Sequence, residues 1–436
     1  MDITERSFET GVARDGVAAA KKEMVEALPT APPDRHIWGI YIFLVIISIV
    51  ELYSASSREV STSGFLGIYT PIVRHGVMLL MGLGIILFLQ RIHYHKFIIW
   101  IPIFALVSVG MMLYVMLFGE VVNGARRSFS FFGLMTLQPS EFLKLSAAAL
   151  IALVMSMHQT AGSVKTRGVL ICGGIVLLFT AMLMPQGLTN TLLLLTISFA
   201  MMLISGVPFQ KIILALLVLL VSVGILYGIH CLMINMGHEG FLGRIDVWVS
   251  RLLNFFGDGT PKYMEPITSE NAQEMYSFMA QAHGGITGVL PGNSREAARL
   301  PLAFSDYIYS IIVEDLGLIG GLFIIFAYLW LLGRASAIAS KCSRAFPAFL
   351  VIGMALVIVL QALFHIAIVT GFFPVSGQPL PLISKGGTSI LITSIAFGVM
   401  LSISRYAVRN GQRRDIKLEM DILPEEVRAD NPTQLS

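Results

Sequence analysis

The sequence predicts an all-α, polytopic membrane protein. It has about ten transmembrane helices, cytoplasmic N and C termini, and a long extracytoplasmic loop between helices 7 and 8. Three observations predict it. Of 436 residues, 55% are hydrophobic and 13% charged, against roughly 25% charged in soluble domains, and mean hydropathy is +0.77. Apolar runs long enough to cross a bilayer as a helix, about 20 residues each, recur near 37–55, 72–90, 97–118, 140–157, 168–184, 190–207, 211–234, 308–332, 347–371 and 387–404. Lys and Arg collect on one side of these runs: Arg91 and Lys96, Lys165 and Arg167, Lys211, then Arg334, Lys341 and Arg344. By the positive-inside rule that side is cytoplasmic, together with the basic tails.

Composition excludes a water-soluble enzyme and a disordered chain. A formal net charge of +3 is too small to argue for nucleic acid. Cys172, Cys231 and Cys342 lie far apart, which argues against a zinc site or a disulfide framework. Residues 1–36 read as a cytoplasmic tail without a secretory signal. Within them 13–28 suit a short amphipathic helix, ended by Pro29, Pro32 and Pro33. Residues 37–405 read as the transmembrane domain and 406–436 as a second cytoplasmic tail, polar from 411 onward. No strong internal repeat is visible, which disfavours the inverted-repeat transporters.

The fifth and sixth spans are separated by little more than Pro185-Gln186-Gly187. Three outer segments carry most of the chemistry. In the first, 119–144, Pro139 suits a first helical turn and Glu141 the positive helix end. Glu141 and Lys144, three apart, read equally as a local ion pair or as part of a site. Lys144 lies one turn inside the span, where a cation needs a cavity or a partner. With Arg126 and Arg127 it forms a cationic, outward-facing cluster suited to an anionic lipid head.

The second segment, 235–307, is far longer than a connection needs. Its stretch 244–256 spaces Trp248, Phe255 and other apolar residues among charges, as an interfacial helix or a packed lid would. Gly284-Gly285-Ile286-Thr287-Gly288 reads as a turn or as a backbone approach to a ligand. Asp306, at the mouth of the eighth span, reads as a first-turn acid or a proton-transfer group. Glu314 and Asp315 lie roughly 12–14 Å further along the helix, where buried acids need partners. His365 in the ninth span reads as an interhelical hydrogen bonder or a proton relay. Gly353 reads as a helix-contact residue. The third outer segment is 371–389, GFFPVSGQPLPLISKGGTS.

Four blocks, in order along residues 37–405, give the chain its resemblance to a known family. They are Tyr53-Ser54-Ala55-Ser56; Gly124-Ala125-Arg126-Arg127 with Gln138-Pro139-Ser140-Glu141-Phe142-Leu143-Lys144; Asp306-Tyr307-Ile308 with Glu314-Asp315-Leu316-Gly317; and 379–389 with Ser404-Arg405. The chain resembles the SEDS proteins (shape, elongation, division and sporulation; FtsW, RodA and SpoVE), and its extended N-terminal tail leans toward the division branch. The resemblance implies a peptidoglycan glycosyltransferase that polymerises lipid II with release of polyprenyl pyrophosphate, at the outer face of the bacterial cytoplasmic (inner) membrane. It implies a class B penicillin-binding protein as partner, besides other division or elongation proteins and membrane lipids.

Carried onto this sequence, the resemblance makes Asp306 the catalytic base. It makes Arg127, Glu141 and Lys144 cavity residues that bind substrate, and Gln138, Arg244 and Ser384 are expected to join them; Arg127 and Lys144 would face the leaving pyrophosphate, with Glu141 orienting Lys144. Glu314, Asp315 and His365 are left to structural or coupling roles. The cofactor is open: a divalent cation is compatible, no dedicated metal-ligand cluster is visible, and no Gly-rich loop suggests a nucleotide. The chain departs from the family at Gln186, where an acid is usual. It also departs in the run Leu302-Ala303-Phe304-Ser305, at Arg295 or Arg299, which stand in for a shifted basic position, at His365 (commonly Asn) and at Lys385 (commonly Tyr). The alternatives are a lipid II flippase, which needs no base, and a scaffold for the penicillin-binding protein.

Overall fold

The computed structural model describes residues 32–55, 70–122, 125–131, 135–160, 163–235, 255, 266–268, 271–300 and 303–422. The expected helix at 13–28 and nearly all of 244–256, with Arg244, lie outside the described residues. Ten long helices follow the ten apolar runs. They are α1 (Arg35–Ala55), α2 (Thr70–Leu89), α3 (His95–Phe118), α4 (Pro139–Met157), α5 (Thr166–Leu183), α6 (Leu188–Ile204) and α7 (Phe209–Asn235). After a loop helix, α8 (Ala272–Gly284), come α9 (Ile308–Lys341), α10 (Ala345–Val369) and α11 (Gly387–Ile422). Among the described residues, seven helices are long and apolar enough to cross a membrane, and the apolar stretches Val73–Leu89 and Leu188–Ile204 are shorter.

These helices are apolar on every side, so packing shows as burial and not as polarity. On α3, Phe97, Ile101, Ala105, Ser108, Met112 and Val115 recur every three or four residues and face the bundle. Ile99, Ile103, Leu106, Leu113 and Leu117 point outward as lipid-facing side chains would. The centre is α4 and α10, buried over most of their length. Ser146, Ala147, Ala148 and Ala149 keep α4 narrow, so its neighbours approach closely. Gly353 does mark such a contact: a Cβ there would lie 3.0 Å from Met201 Cε of α6 and 3.6 Å from Ala148 O of α4.

One end of the bundle gathers both tails. Asp34 caps α1 by accepting from His36 N (2.9 Å) and Ile37 N (3.1 Å), pairs with Arg334 of α9, and donates its own N–H to Ser404 Oγ of α11 at 3.1 Å. Burial pushes the Asp34 carboxyl up, but Arg334 and the two amides together hold it below the usual carboxylate value. α11 continues to Ile422, so 411–422, expected as part of a polar tail, extend the last helix.

The opposite end carries the large loops. Segment 119–137, expected as a loop, forms a three-stranded antiparallel meander of β1 (Glu120–Val122), β2 (Ala125–Phe131) and β3 (Met135–Leu137). Back at the tail end of the bundle, a two-stranded turn, β4 (Gln159–Thr160) with β5 (Ser163–Val164), follows α4. In the β1–β2 pair Val121 faces Arg126 and Glu120 faces Ser128, which leaves Arg127 as the extra residue of a bulge.

α9 is broken near its outer end. Gly317 has φ 71° and ψ −178°, a conformation open to glycine and strained for other residues. The glycine-rich segment of the large loop fills the break. Leu318 N and Ile319 N donate to Gly285 O (2.9 Å) and Ile286 O (3.3 Å), while Val289 N and Leu290 N donate to Glu314 O (3.0 Å) and Asp315 O (2.9 Å). Four helix groups thus exchange their partners for loop partners. The backbones meet so closely that a Cβ on Gly288 would lie 2.2 Å from Asp315 O. The 284–288 glycines therefore serve the helix break, not a ligand.

Candidate active site

A polar cleft lies at the loop end, with two lobes. Arg127, Gln138, Ser140, Glu141, Gln186, Asn190, Gly377 and Gln378 line the first. Arg74, His75, Thr136, Gln138, Phe304, Asp306, Gly377 and Lys385 line the second, with a volume of about 320 Å³. Gln138, Gly377 and Pro379 belong to both, so the lobes adjoin.

Asp306 sits just before α9, whose N-cap position is Tyr307, so it is not the capping acid. Ser305 Oγ donates to its Oδ1 at 2.9 Å. Burial raises the Asp306 carboxyl above the usual value, against the lowering effects of Ser305 and of the Arg127 charge. The β-bulge explains how Arg127 comes into range: bulges re-aim a side chain out of the strand's alternation. The Arg126 side chain lies outside the described residues.

Glu141 and Lys144 pair at 2.8 Å on α4, but their expected roles are exchanged. Lys144 is fully buried and bonds Asn190 Oδ1 at 3.2 Å, behind the cleft lining. Glu141 reaches the lining. Lys144, with two oxygen partners, holds the Glu141 carboxyl in place, and that carboxyl lines the first lobe. Asn190 Oδ1 also accepts from Gln378 Nε2 at 3.0 Å, tying α4, α6 and the last outer loop together. Gln186, where the family has an acid, lines this lobe as an amide.

The last outer loop is held by its carbonyls. His365 Nδ1 bonds Gln378 O at 2.6 Å, Gln361 Nε2 donates to Pro379 O at 3.3 Å, and Tyr328 OH donates to Pro381 O at 2.6 Å. Since a carbonyl only accepts, His365 carries its proton on Nδ1, which makes it an anchor of the loop. Ser384 is also an anchor: it accepts from Leu380 N and donates to Ser305 O, both at 2.7 Å, and is fully buried. Its hydroxyl fixes the backbone beside Asp306 and leaves no surface for a substrate.

Glu314 binds the large loop to α9. It accepts from Ser294 Oγ, from Arg295 N at 2.9 Å and from His283 Nδ1 at 2.8 Å. Asp315 is buried within electrostatic reach of Glu51 and Ser54 of α1. Arg299 pairs with Glu296 at 3.3 Å and does not line either lobe. Sequence reasoning missed Asn190 and the second lobe's Arg74 and His75. The signal for Asn190 was a polar group at the head of an otherwise apolar span. For the other two it was a basic pair at the outer end of α2.

Fold and cleft together define a multi-pass helical membrane protein with a carboxylate set between cationic side chains at one membrane face. The chain belongs to the FtsW, RodA and SpoVE family: the family model described as "Cell cycle protein" matches residues 34–409. It is 29% identical to Stage V sporulation protein E of Bacillus subtilis, over 86% of this chain and 98% of the relative. It is 29% identical to the probable peptidoglycan glycosyltransferase FtsW of Enterococcus hirae, over 89% and 96%. It is 25% identical to the peptidoglycan glycosyltransferase MrdB of Escherichia coli K12, over 84% and 91%. Among solved structures, a chain reported under "Structural coordination of polymerization and crosslinking by a peptidoglycan synthase complex" shares the fold with a TM-score of 0.64 at 19% identity, covering 86% of this chain and 98% of that one. Thermus thermophilus RodA gives a TM-score of 0.59 at 19% identity, over 86% and 97%.

Proposed function

We propose that this chain is a peptidoglycan glycosyltransferase that joins lipid II units into glycan strands and releases polyprenyl pyrophosphate. Relatives named for that activity match it nearly end to end. The observation that carries the mechanism is Asp306, a half-buried carboxylate in the second lobe, against the shared Gly377 and with Arg127 of the first lobe in electrostatic range. A sugar hydroxyl attacking an anomeric carbon must lose its proton as the bond forms. A carboxylate kept above its usual pKa is a better acceptor for it than an ordinary aspartate. Arg127 faces the departing diphosphate, whose charge develops as the bond breaks. Glu141, set by Lys144 and Asn190, accepts hydrogen bonds from the sugar or its peptide. Gln138 spans both lobes.

The basic tail end lies in the cytoplasm and the cleft on the extracytoplasmic face of the inner membrane, in agreement with a lipid-linked and not a nucleotide-linked donor. Among the described residues no three His, Cys, Asp or Glu side chains converge as a metal site. A divalent cation would come with the diphosphate oxygens, and Asp306 and Glu141 are the carboxylates that line the lobes. The fold likeness to a chain of a peptidoglycan synthase complex supports a class B penicillin-binding protein as partner.

The test is lipid II polymerisation by the purified protein, with and without such a partner, comparing wild type with Asp306→Ala and Asp306→Asn. Loss of at least about 10²-fold in both variants, in the range of a positioned general base, is expected. Equal synthesis by all three removes Asp306 as the base. No strands from a folded wild-type complex, with transport of labelled lipid II in vesicles, replaces the polymerase with a flippase.

A further inference from the structure

Away from the cleft, an apolar groove of about 300 Å³ opens between α2 and α3. Phe88 of α2 and Trp100 of α3 form its exposed walls, and Ala149 of α4, Met354 of α10 and Val399 of α11 its buried floor. Beneath it α2 and α11 pack tightly: a Cβ on Gly398 would lie 2.8 Å from Leu89 Cβ. Room remains because Ala149 presents only a methyl group. No residue of the groove lines either lobe of the cleft.

The groove adjoins a basic mouth at the tail end of the bundle. Phe88 also belongs to a surface pocket lined by Arg91, His93 and Lys96, with no carboxylate in its lining. Arg91 and Lys96 are exposed. The turn that carries Arg91 is pinned to α11: Arg405 Nη1 donates to Gln90 O at 3.3 Å, and Ser402 Oγ donates to Ile92 O. Lys96 stands in the first turn of α3. That is the positive end of a helix, so the lysine adds to the field there instead of offsetting it. Lysine and helix end together attract an anion. Trp100, one turn further on, is 46% exposed, as an indole at the headgroup boundary would be. From Lys96 to Phe104 is about 12 Å of helix, and one leaflet holds about 15 Å of hydrocarbon, half of the bilayer core. The groove is therefore one leaflet deep, with a cationic rim.

We propose that this groove binds an anionic phospholipid of the cytoplasmic leaflet. Its phosphate sits at Arg91, Lys96 and the α3 N-terminus, and one acyl chain lies against Ala149, Met354 and Val399. Charge and depth select this occupant. Basic pockets between helices on the cytoplasmic side hold anionic headgroups, and a groove one leaflet deep matches an acyl chain. The floor helices α4 and α11 also carry the cleft residues Glu141 and Thr388 at their other ends. The lipid thus braces, from the opposite leaflet, helices that shape the cleft.

The test is fluorescence quenching of Trp100 in the full-length protein, reconstituted in phosphatidylcholine vesicles. Brominated phosphatidylglycerol replaces an increasing share of the lipid, with brominated phosphatidylcholine as reference. The signal is the part of the quenching lost in Trp100→Phe. It requires no turnover, so it is independent of the polymerase reading. Wild type is expected to prefer phosphatidylglycerol, and Arg91→Gln and Lys96→Gln each to reduce that preference about fivefold, the scale of one basic residue at an anionic headgroup. Added salt should weaken it as well. Ala149→Phe, which fills the floor, should abolish the preference with both charges in place. Equal quenching by the two lipids in wild type overturns the assignment, as does an undiminished preference in the Arg91→Gln, Lys96→Gln double variant. Both positions are exposed, so the charge variants decide the matter if Ala149→Phe does not fold. Quenching that an uncharged polyprenol relieves equally in wild type and the double variant also overturns it, because the groove would then hold a polyprenyl chain.

Discussion

Gly377 lies directly against Asp306: a methyl group on its α-carbon would sit 2.6 Å from the Asp306 Oδ2. The carboxylate is thus positioned by an empty space on the facing loop as much as by its hydrogen bonds. Gly377→Ala is expected to swing the carboxylate aside and cut strand synthesis by about 10²-fold, the scale of a misplacement near 1 Å. Gly377 is exposed, so thermal unfolding in detergent should barely change. Full activity in the alanine variant would show that the carboxylate tolerates displacement.

The Glu141–Lys144 pair predicts a split between stability and activity. Removing one partner of a buried pair leaves an uncompensated charge, at a cost of about 3–5 kcal/mol. Lys144→Met and Glu141→Gln should each lower the melting temperature. The double variant should regain most of the stability and remain inactive, because the first lobe has lost the Glu141 carboxylate. A double variant as unstable as the worse single would show that the two are not energetically coupled.

Arg127 bears on the protonation of Asp306 beside the larger effects of burial and Ser305, and the sign of its effect is fixed. Burial raises the Asp306 pKa and the Arg127 charge lowers it. A base must be deprotonated, so activity falls as pH drops through that raised value, above the ordinary aspartate range. Arg127→Gln removes a lowering influence and should move this acid limb of kcat/KM to higher pH. A limb that stays in place, or moves to lower pH, would show that Arg127 does not act on Asp306.

Glu314 predicts loop release. Glu314→Ala removes the acceptor of several donors from the 283–295 segment, each charged hydrogen bond contributing about 1.5–3 kcal/mol. Limited proteolysis should then cut between residues 284 and 300, with strand synthesis lost in parallel. Protection equal to wild type would mean that the loop is held by its backbone bonds alone.

At the opposite end, Asp34→Ala should lower stability by about 1 kcal/mol through the lost helix cap. Asp34→Asn keeps the cap and loses the pairing with Arg334. Because the folded carboxyl is held below its usual value, the pairing contributes fully above the unfolded pKa and fades as pH falls through the folded one. The gap in melting temperature between wild type and Asp34→Asn should therefore close as pH drops below about 4.

The ten spans were legible because a bilayer demands long apolar runs and the basic loops record their direction. Asp306, Arg127, Gln138 and Glu141 were legible as polar groups at the outward ends of those runs. Depth was not: nothing in the spacing of Glu141 and Lys144 says which of them faces the cleft, because that depends on Asn190 of another helix. The bulge at Arg127 depends on strand register, which a seven-residue strand does not specify by itself. Ser384 was expected as a substrate-binding residue of the last outer loop. Its hydroxyl is occupied by a segment about 79 residues away, a partner no local pattern reveals. The break in α9 was concealed as well, since Gly317 lies in a run that otherwise reads as continuous helix.

That break divides the eighth span into two pieces, and the outer loop is bonded to both. Below Gly317 the helix is fastened to the membrane bundle. Above it, the short piece that follows Asp306 is stitched through Glu314 O and Asp315 O to loop residues 289 and 290, while Leu318 N and Ile319 N just below the break hold loop residues 285 and 286. A displacement of the outer loop therefore reaches the helix on both sides of Gly317 at once, and through its first turns the segment that carries Asp306.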